Sequence, residues 1–280
     1  MDRSDLNGSK NSYGFRVAYP NDLWDIFLDY KFIDDSFQPS LGFVPRDDVK
    51  IYSLRTAFQP RPQRLHIRQM FEEFETLYVT DLQNNWESYE VFTAPVNWRL
   101  ESGDRFEFNF IWQGERLIEP FEITNDVTIP VGTYEWHRFR GEFQSASKRR
   151  VRVLISWGFG DFYDGTLNHI EYDSFWNPSG LLSFEVTGEH DHGILKAGNF
   201  TEDLVGTRLA LNVSPDLQVS SFLQYDTESK SFGTNTRMRW TIRPTIDLFV
   251  IYNHNLVEHD NRWVRQSNEL LLKIQYAFRR

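Results

Sequence analysis

The stretch Val205-Gly206-Thr207-Arg208-Leu209-Ala210-Leu211-Asn212-Val213-Ser214-Pro215-Asp216 holds the logic of the whole chain. Val205, Thr207, Leu209, Leu211 and Val213 fall on one face of an extended segment, and Gly206, Arg208, Ala210 and Asn212 on the other. A period of two is the pattern of a strand with unlike faces. Ser214-Pro215-Asp216 then ends it, because proline fixes φ and has no N–H to give a ladder.

The same pairing of alternation and proline recurs outward in both directions. Tyr13, Phe15, Val17 and Tyr19 oppose Gly14, Arg16 and Ala18 before Tyr19-Pro20-Asn21-Asp22, and Met238, Trp240 and Ile242 alternate with arginines before Arg243-Pro244-Thr245. Phe106, Phe108, Phe110 and Trp112 oppose Glu107, Asn109 and Gln113, and Leu270, Leu272, Ile274, Tyr276 and Phe278 oppose Lys273, Gln275 and Ala277. Further tight turns are expected at Pro60-Arg61-Pro62, Ala94-Pro95-Val96 and Asn177-Pro178-Ser179, with longer polar connectors at 34–48, 119–132, 188–203 and 255–267. An antiparallel up-and-down sheet with short links at one end and long loops at the other is the plan of a transmembrane β-barrel. About fifteen strands are legible, from 12–19 to 268–278. Single-chain bacterial barrels have an even number, so the expectation is 16 or more strands in a longer protein, of which 1–11 is the remnant of an extracellular loop and 12–280 the barrel domain.

Both faces carry information. The apolar face places Tyr13, Tyr19, Trp112, Trp157, Trp176, Tyr225, Tyr252 and Tyr276 near strand ends, as interfacial girdles do. The other face places Asp25, Asp29, Lys31 and many arginines inside strands. A soluble sandwich alternates too, but it mixes hairpins with crossovers and lacks a regular asymmetry of loops.

Composition narrows the classes. No run of about 18 apolar residues exists, so helical spans are excluded while strand spans are not. The net charge of −10 argues against nucleic acid as a partner. With no cysteine there is no disulfide, thiolate metal site or cysteine nucleophile. Met1-Asp2-Arg3-Ser4 is not a secretory signal, which leaves a cytoplasmic chain or a fragment whose export signal lies upstream.

Five stretches resemble one family: Phe37-Gln38-Pro39-Ser40-Leu41-Gly42-Phe43-Val44-Pro45-Arg46, Thr128-Ile129-Pro130-Val131-Gly132-Thr133-Tyr134, Leu223-Gln224-Tyr225-Asp226, Asn235-Thr236-Arg237-Met238-Arg239-Trp240 and Asp247-Leu248-Phe249-Val250-Ile251-Tyr252-Asn253. Together they look like the C-terminal barrel region of large bacterial envelope proteins of uncharacterised function, in which a carbohydrate-binding family-9-like sandwich precedes an outer-membrane barrel. The resemblance implies an outer-membrane location, lipid and the barrel-assembly machinery as partners, and a candidate glycan ligand. Two departures stand out: the sandwich is absent, and the chain ends Phe278-Arg279-Arg280 rather than on an aromatic residue.

Candidate sites are few. Arg138, Arg140, Arg152, Arg208, Arg237 and Arg239, with Glu107, are expected to line a lumen, either as an anion- or hydroxyl-favouring wall or as partners of Glu107, Glu142, Glu171, Asp173 and Glu185 that fill it. His190 and His192 in Glu189-His190-Asp191-His192 have the spacing of two metal ligands sharing a strand face, although the segment reads better as a solvated loop, and no metal or other cofactor is expected. The carboxylate pairs Glu72-Glu73, Asp34-Asp35 and Asp47-Asp48 are adjacent in sequence, so within a strand they point apart and do not make a glycosidase pair. No nucleophile elbow or phosphate-binding glycine loop occurs. Trp86, Trp98, Trp136 and Trp263 are candidates for stacking on sugars. The reading is a non-enzymatic barrel for transport, anchoring or surface display linked to glycans; the alternatives are a soluble all-β carbohydrate-binding module and a glycan hydrolase.

Overall fold

The computed structural model describes residues 11–39, 43–44 and 46–278. Of the segments singled out above, residues 1–10, Ser40-Leu41-Gly42, Pro45 and Arg279-Arg280 lie outside the described residues.

The chain is all-β. Its strands are β1 (Ser12–Pro20), β2 (Trp24–Ile33), β3 (Val49–Phe58), β4 (Ile67–Met70), β5 (Glu72–Asp81), β6 (Trp86–Leu100), β7 (Arg105–Leu117), β8 (Phe121–Thr124), β9 (Val127–Ile129), β10 (Gly132–Gln144), β11 (Val151–Phe162), β12 (Gly165–Trp176), β13 (Leu182–Leu195), β14 (Gly198–Ser214), β15 (Leu217–Asp226), β16 (Ser231–Arg243), β17 (Ile246–His259) and β18 (Arg262–Tyr276). They form a 16-stranded sheet whose hydrogen-bonded order follows the sequence from β1 to β18, with β4 beside β6 off the main path and β8–β9 as a separate hairpin. Fifteen strands lie on the path, and the order is linear, with β1 and β18 as its edges. Every neighbour along this meander is the next strand of the sheet, the antiparallel up-and-down plan expected from the alternation.

Contacts divide the chain into two compact units. The first holds the chain up to Gly141 with Gly158–Leu167 and Ile194–Gly198, and the second holds Glu142–Trp157, Asn168–Gly193 and the chain from Asn199.

In the first unit, register sets side chains of one kind opposite one another. Phe15, Tyr30, Tyr52, Tyr78 and Tyr89 are successive Cα partners across β1, β2, β3, β5 and β6. Ring centroids along this row are 5.5, 5.1 and 6.3 Å apart from Phe15 to Tyr78, within the range of favourable aromatic pairs. The row ends at Gly114 of β7, whose missing side chain is replaced by the Tyr89 ring lying over the backbone. One buried apolar cluster packs Ile33, Val49 and Val79 together under Phe37, Val44 and Ile51. At the turn between β11 and β12, the Tyr163 hydroxyl donates to Glu115 Oε2 at 2.7 Å, and burial beside that carboxylate pushes the phenol well above its usual range.

In the second unit, the proline turns are tied to one another. Ser214 pairs with Leu217 around Pro215-Asp216, and the Ser214 Oγ accepts the N–H of Asp216 at 3.2 Å and of Leu217 at 3.1 Å. Each turn then accepts an N–H from farther along the chain: Asn177 N donates to Arg150 O, Asn212 N to Leu181 O, Thr241 N to Asp216 O and Ala277 N to Thr245 O, at 2.7 to 2.9 Å. Asn212 and Thr241 also sit where bulges shift the register against the following strand, while these bonds are made on the side of the preceding one.

Four connector assignments require correction. Pro60-Arg61-Pro62 does not make a tight turn: β3 ends at Phe58 and its partner β5 begins at Glu72, and the connector between them carries β4, with Met70 N donating to Pro60 O at 3.0 Å. Pro95 lies inside β6 at a register shift between Thr93 and Val96, so it makes a bulge rather than a turn. The stretches 188–203 and 255–267 are strand, not loop: β13 and β14 meet at Lys196-Ala197, and β17 and β18 at Asp260-Asn261. Asp260 and Asn261 both have positive φ, 51° and 58°, as a two-residue hairpin turn requires. Long connectors remain at 34–48, at 59–71 around β4, and around β8–β9. The long-loop rule fails elsewhere because backbone pairing does not need apolar alternation, and the polar segments continue the hairpins.

Candidate functional site: the polar face of the sheet

On the polar face of the first unit, charges are paired across neighbouring strands. Arg16 Nε meets Asp29 Oδ1 at 2.5 Å and Arg55 Nε meets Glu75 Oε1 at 2.5 Å, both as direct Cα partners. These pairs line a cavity of about 500 Å³ on β1, β2, β3 and β5. Beside it the face is packed. Asn109 is fully buried and donates to Glu107 Oε1 at 2.9 Å, Arg105 pairs with the same carboxylate, and Arg105 Nε donates to Asn97 Oδ1 at 3.0 Å. Trp136 Nε1 donates to Gln113 Oε1 at 2.9 Å, and Gln113 Nε2 to Glu90 Oε2 at 2.8 Å. Trp136 is 5% exposed, so it is a core residue rather than a sugar platform. Arg138 lies over the Phe162 ring at 5.7 Å, and Arg140 follows two residues later on β10.

On the polar face of the second unit, chemistry changes in bands along the strands. Nearest the 227–230 turn is an acidic band of Glu189, Asp191, Glu202, Asp226 and Glu228 around a small cavity. Next comes a band of amides, Gln224, Asn235, Asn253 and Asn255. Nearest the proline turns is a basic band in which Arg239 meets Asp247 at 3.4 Å and Lys273 lies over Phe249 at 5.8 Å. Arg237 is exposed in this band and makes no ion pair among the described residues. Arg152 covers the Phe175 ring at 3.9 Å beside Asp173 and Glu185. Arg208 pairs with Glu185 at 3.1 Å and stacks on Phe222 at 5.1 Å.

The six expected arginines and Glu107 therefore share the polar face but not one site. Expected partner Glu185 holds Arg208, whereas Glu107 is held by Arg105, a residue the sequence reading did not single out. The histidine segment is corrected from loop to β13. His190 Nδ1 meets Asp203 Oδ1 at 2.7 Å and His192 Nδ1 meets Thr201 Oγ1 at 2.9 Å, each with its own cross-strand partner. His169, not noticed in the sequence, meets Asp191 at 2.7 Å. No group of three or more ligating side chains converges among the described residues. Asp34 is buried and accepts Asn11 N at 3.2 Å, while Asp35 and Asp47 remain in the 34–48 connector.

Compared with known proteins, the chain matches no family model, and no curated protein is significantly similar to it.

Proposed function

We propose that this chain is the membrane-spanning part of an outer-membrane β-barrel, acting in transport, anchoring or surface display without chemistry of its own. The observation that carries the reading is the exposed apolar face. Tyr13, Phe15, Val17 and Tyr19 are each 57–60% exposed on β1. At about 100 Å² for a half-exposed aromatic ring, this strand alone presents on the order of 400 Å², near the largest patch of a soluble monomer. Leu270, Leu272 and Ile274 on β18 and Trp157, Leu209, Trp240 and Tyr252 between them are exposed in the same way. Hydrocarbon accommodates such a face without cost, provided the sheet closes and pairs its backbone groups. The tyrosine row would then mark the level of one interface, and the longer strands, such as the 17 residues of β14, exceed the roughly 9–11 a membrane crossing needs. The resemblance to barrels preceded by a carbohydrate-binding sandwich is in keeping with this role.

Membrane fractionation with heat-modifiable gel mobility tests the reading. A detergent-extracted band that shifts on boiling is the expected result. A protein that remains in the aqueous fraction and does not shift would overturn it.

A further inference from the structure

We infer that the amide band of β15–β18 is a binding site for a neutral, hydroxyl-rich ligand, an oligosaccharide in chemical class. The site is a depression of about 380 Å³. Its construction is visible in the register. Gly206, Gln224, Gly233 and Asn255 are successive Cα partners, so Gln224 stands between two glycines. A side chain at Gly233 would meet Asn255 Oδ1 at 3.1 Å, and one at Gly206 would meet Thr187 Oγ1 at 2.6 Å. At both glycines neighbouring side chains lie over the backbone, while the Gln224 amide between them is exposed and makes no side-chain hydrogen bond among the described residues. The neighbouring row is Phe222, Asn235, Asn253 and Glu269. Asn235 Nδ2 donates to Asn253 Oδ1 at 2.5 Å, Asn253 Nδ2 to Glu269 Oε2 at 3.3 Å, and Asn255 Nδ2 to Ser267 Oγ at 2.8 Å.

These bonds orient the amides without exhausting them. A carboxamide has two donor hydrogens and two acceptor lone pairs, so Asn235, Asn253 and Asn255 keep donors and acceptors to spare, and Gln224 keeps all of its own. Hydroxyl groups both donate and accept, and they match such a set; a carboxylate or phosphate accepts only. Glu269 and the adjacent acidic band further disfavour anions. The inference depends on the sheet and not on the membrane, so it stands or falls separately from the proposed function.

Calorimetric titration of the purified chain in an amine-oxide detergent, which has no sugar headgroup, tests it with maltotriose, cellotriose, chitotriose and the anionic trigalacturonate. The expected result is saturable binding of at least one neutral trisaccharide, with trigalacturonate at least about tenfold weaker. Asn253→Leu and Gln224→Leu should each weaken binding about tenfold or more, the scale of one lost hydrogen bond to an unsatisfied partner. Gln224 is exposed and unpartnered, so its variant keeps the fold and decides the question should Asn253→Leu fail to assemble. No binding by any neutral trisaccharide, equal binding of trigalacturonate, or binding unchanged in Gln224→Leu overturns the inference.

Discussion

Glu107 is a charge held inside the sheet by neighbours two residues away on its own strand. Its carboxylate is 8% exposed as a residue and serves both Arg105 and Asn109. Glu107→Leu removes the acceptor that both share and should lower stability by roughly 1–3 kcal/mol. Glu107→Gln, which keeps one acceptor oxygen, should cost less than half of that, as read from the denaturant midpoint. Asp48 poses the opposite problem. It lies in the 34–48 connector, where burial and the carboxylates of Asp35, Asp81, Asp47 and Asp34 hold its carboxyl above the usual 3.8. A raised carboxyl binds its proton more tightly in the folded chain than in the unfolded one. Its favourable contribution is therefore complete below 3.8 and is lost as pH rises through the folded value. Asp48 has a φ of 57°, which asparagine adopts readily. Asp48→Asn should therefore stabilise the connector at neutral pH and change nothing at about pH 3, measured by hydrogen exchange of the loop. Asp22 has the reverse sign: the Arg61 guanidinium beside it holds its carboxyl below the usual 3.8, so that link persists until the pH falls below this value.

The elements were legible in the sequence wherever an apolar face or a proline marked them. Alternation located β7, β11, β14, β16 and β18, and Pro20, Pro178, Pro215 and Pro244 marked real turns. Pro95 misled because a bulge tolerates proline as well as a turn does. The segment Glu189-His190-Asp191-His192 misled because polar residues on both faces erase the period of two while leaving the ladder intact. Cross-strand partners such as His190 and Asp203, or Arg55 and Glu75, were not readable, since they depend on register, which turn geometry sets. The Tyr89–Gly114 pair offers a test at this scale. Gly114→Ala places a methyl group in the Tyr89 ring and should cost about 1–3 kcal/mol. In Tyr89→Ala the ring is gone, and adding Gly114→Ala should cost almost nothing. Additive losses in the double variant would mean that the ring and the glycine do not form a unit.

At the scale of the whole molecule, the two faces make unlike demands on substitution. Val250 lies mid-strand on β17 between Met238 and Leu272, on the apolar face, and Ser220 lies opposite Arg237 on the polar face. If lipid covers the apolar face, Val250→Arg should cost about 2–4 kcal/mol and deplete the heat-modifiable band, whereas Ser220→Arg should be tolerated. Equal tolerance at both positions would count against a lipid-facing sheet. The backbone bonds that join each proline turn to a strand farther along have a different consequence. Alternation detects a slip of one residue, because it turns the apolar face inward, but it is blind to a slip of two. A hairpin displaced by two residues would keep its faces correct and still draw its turn away from the N–H of Asn212, Thr241 or Ala277. Each hairpin thereby proofreads the one laid down before it, and assembly errors invisible to the strands are caught at their ends.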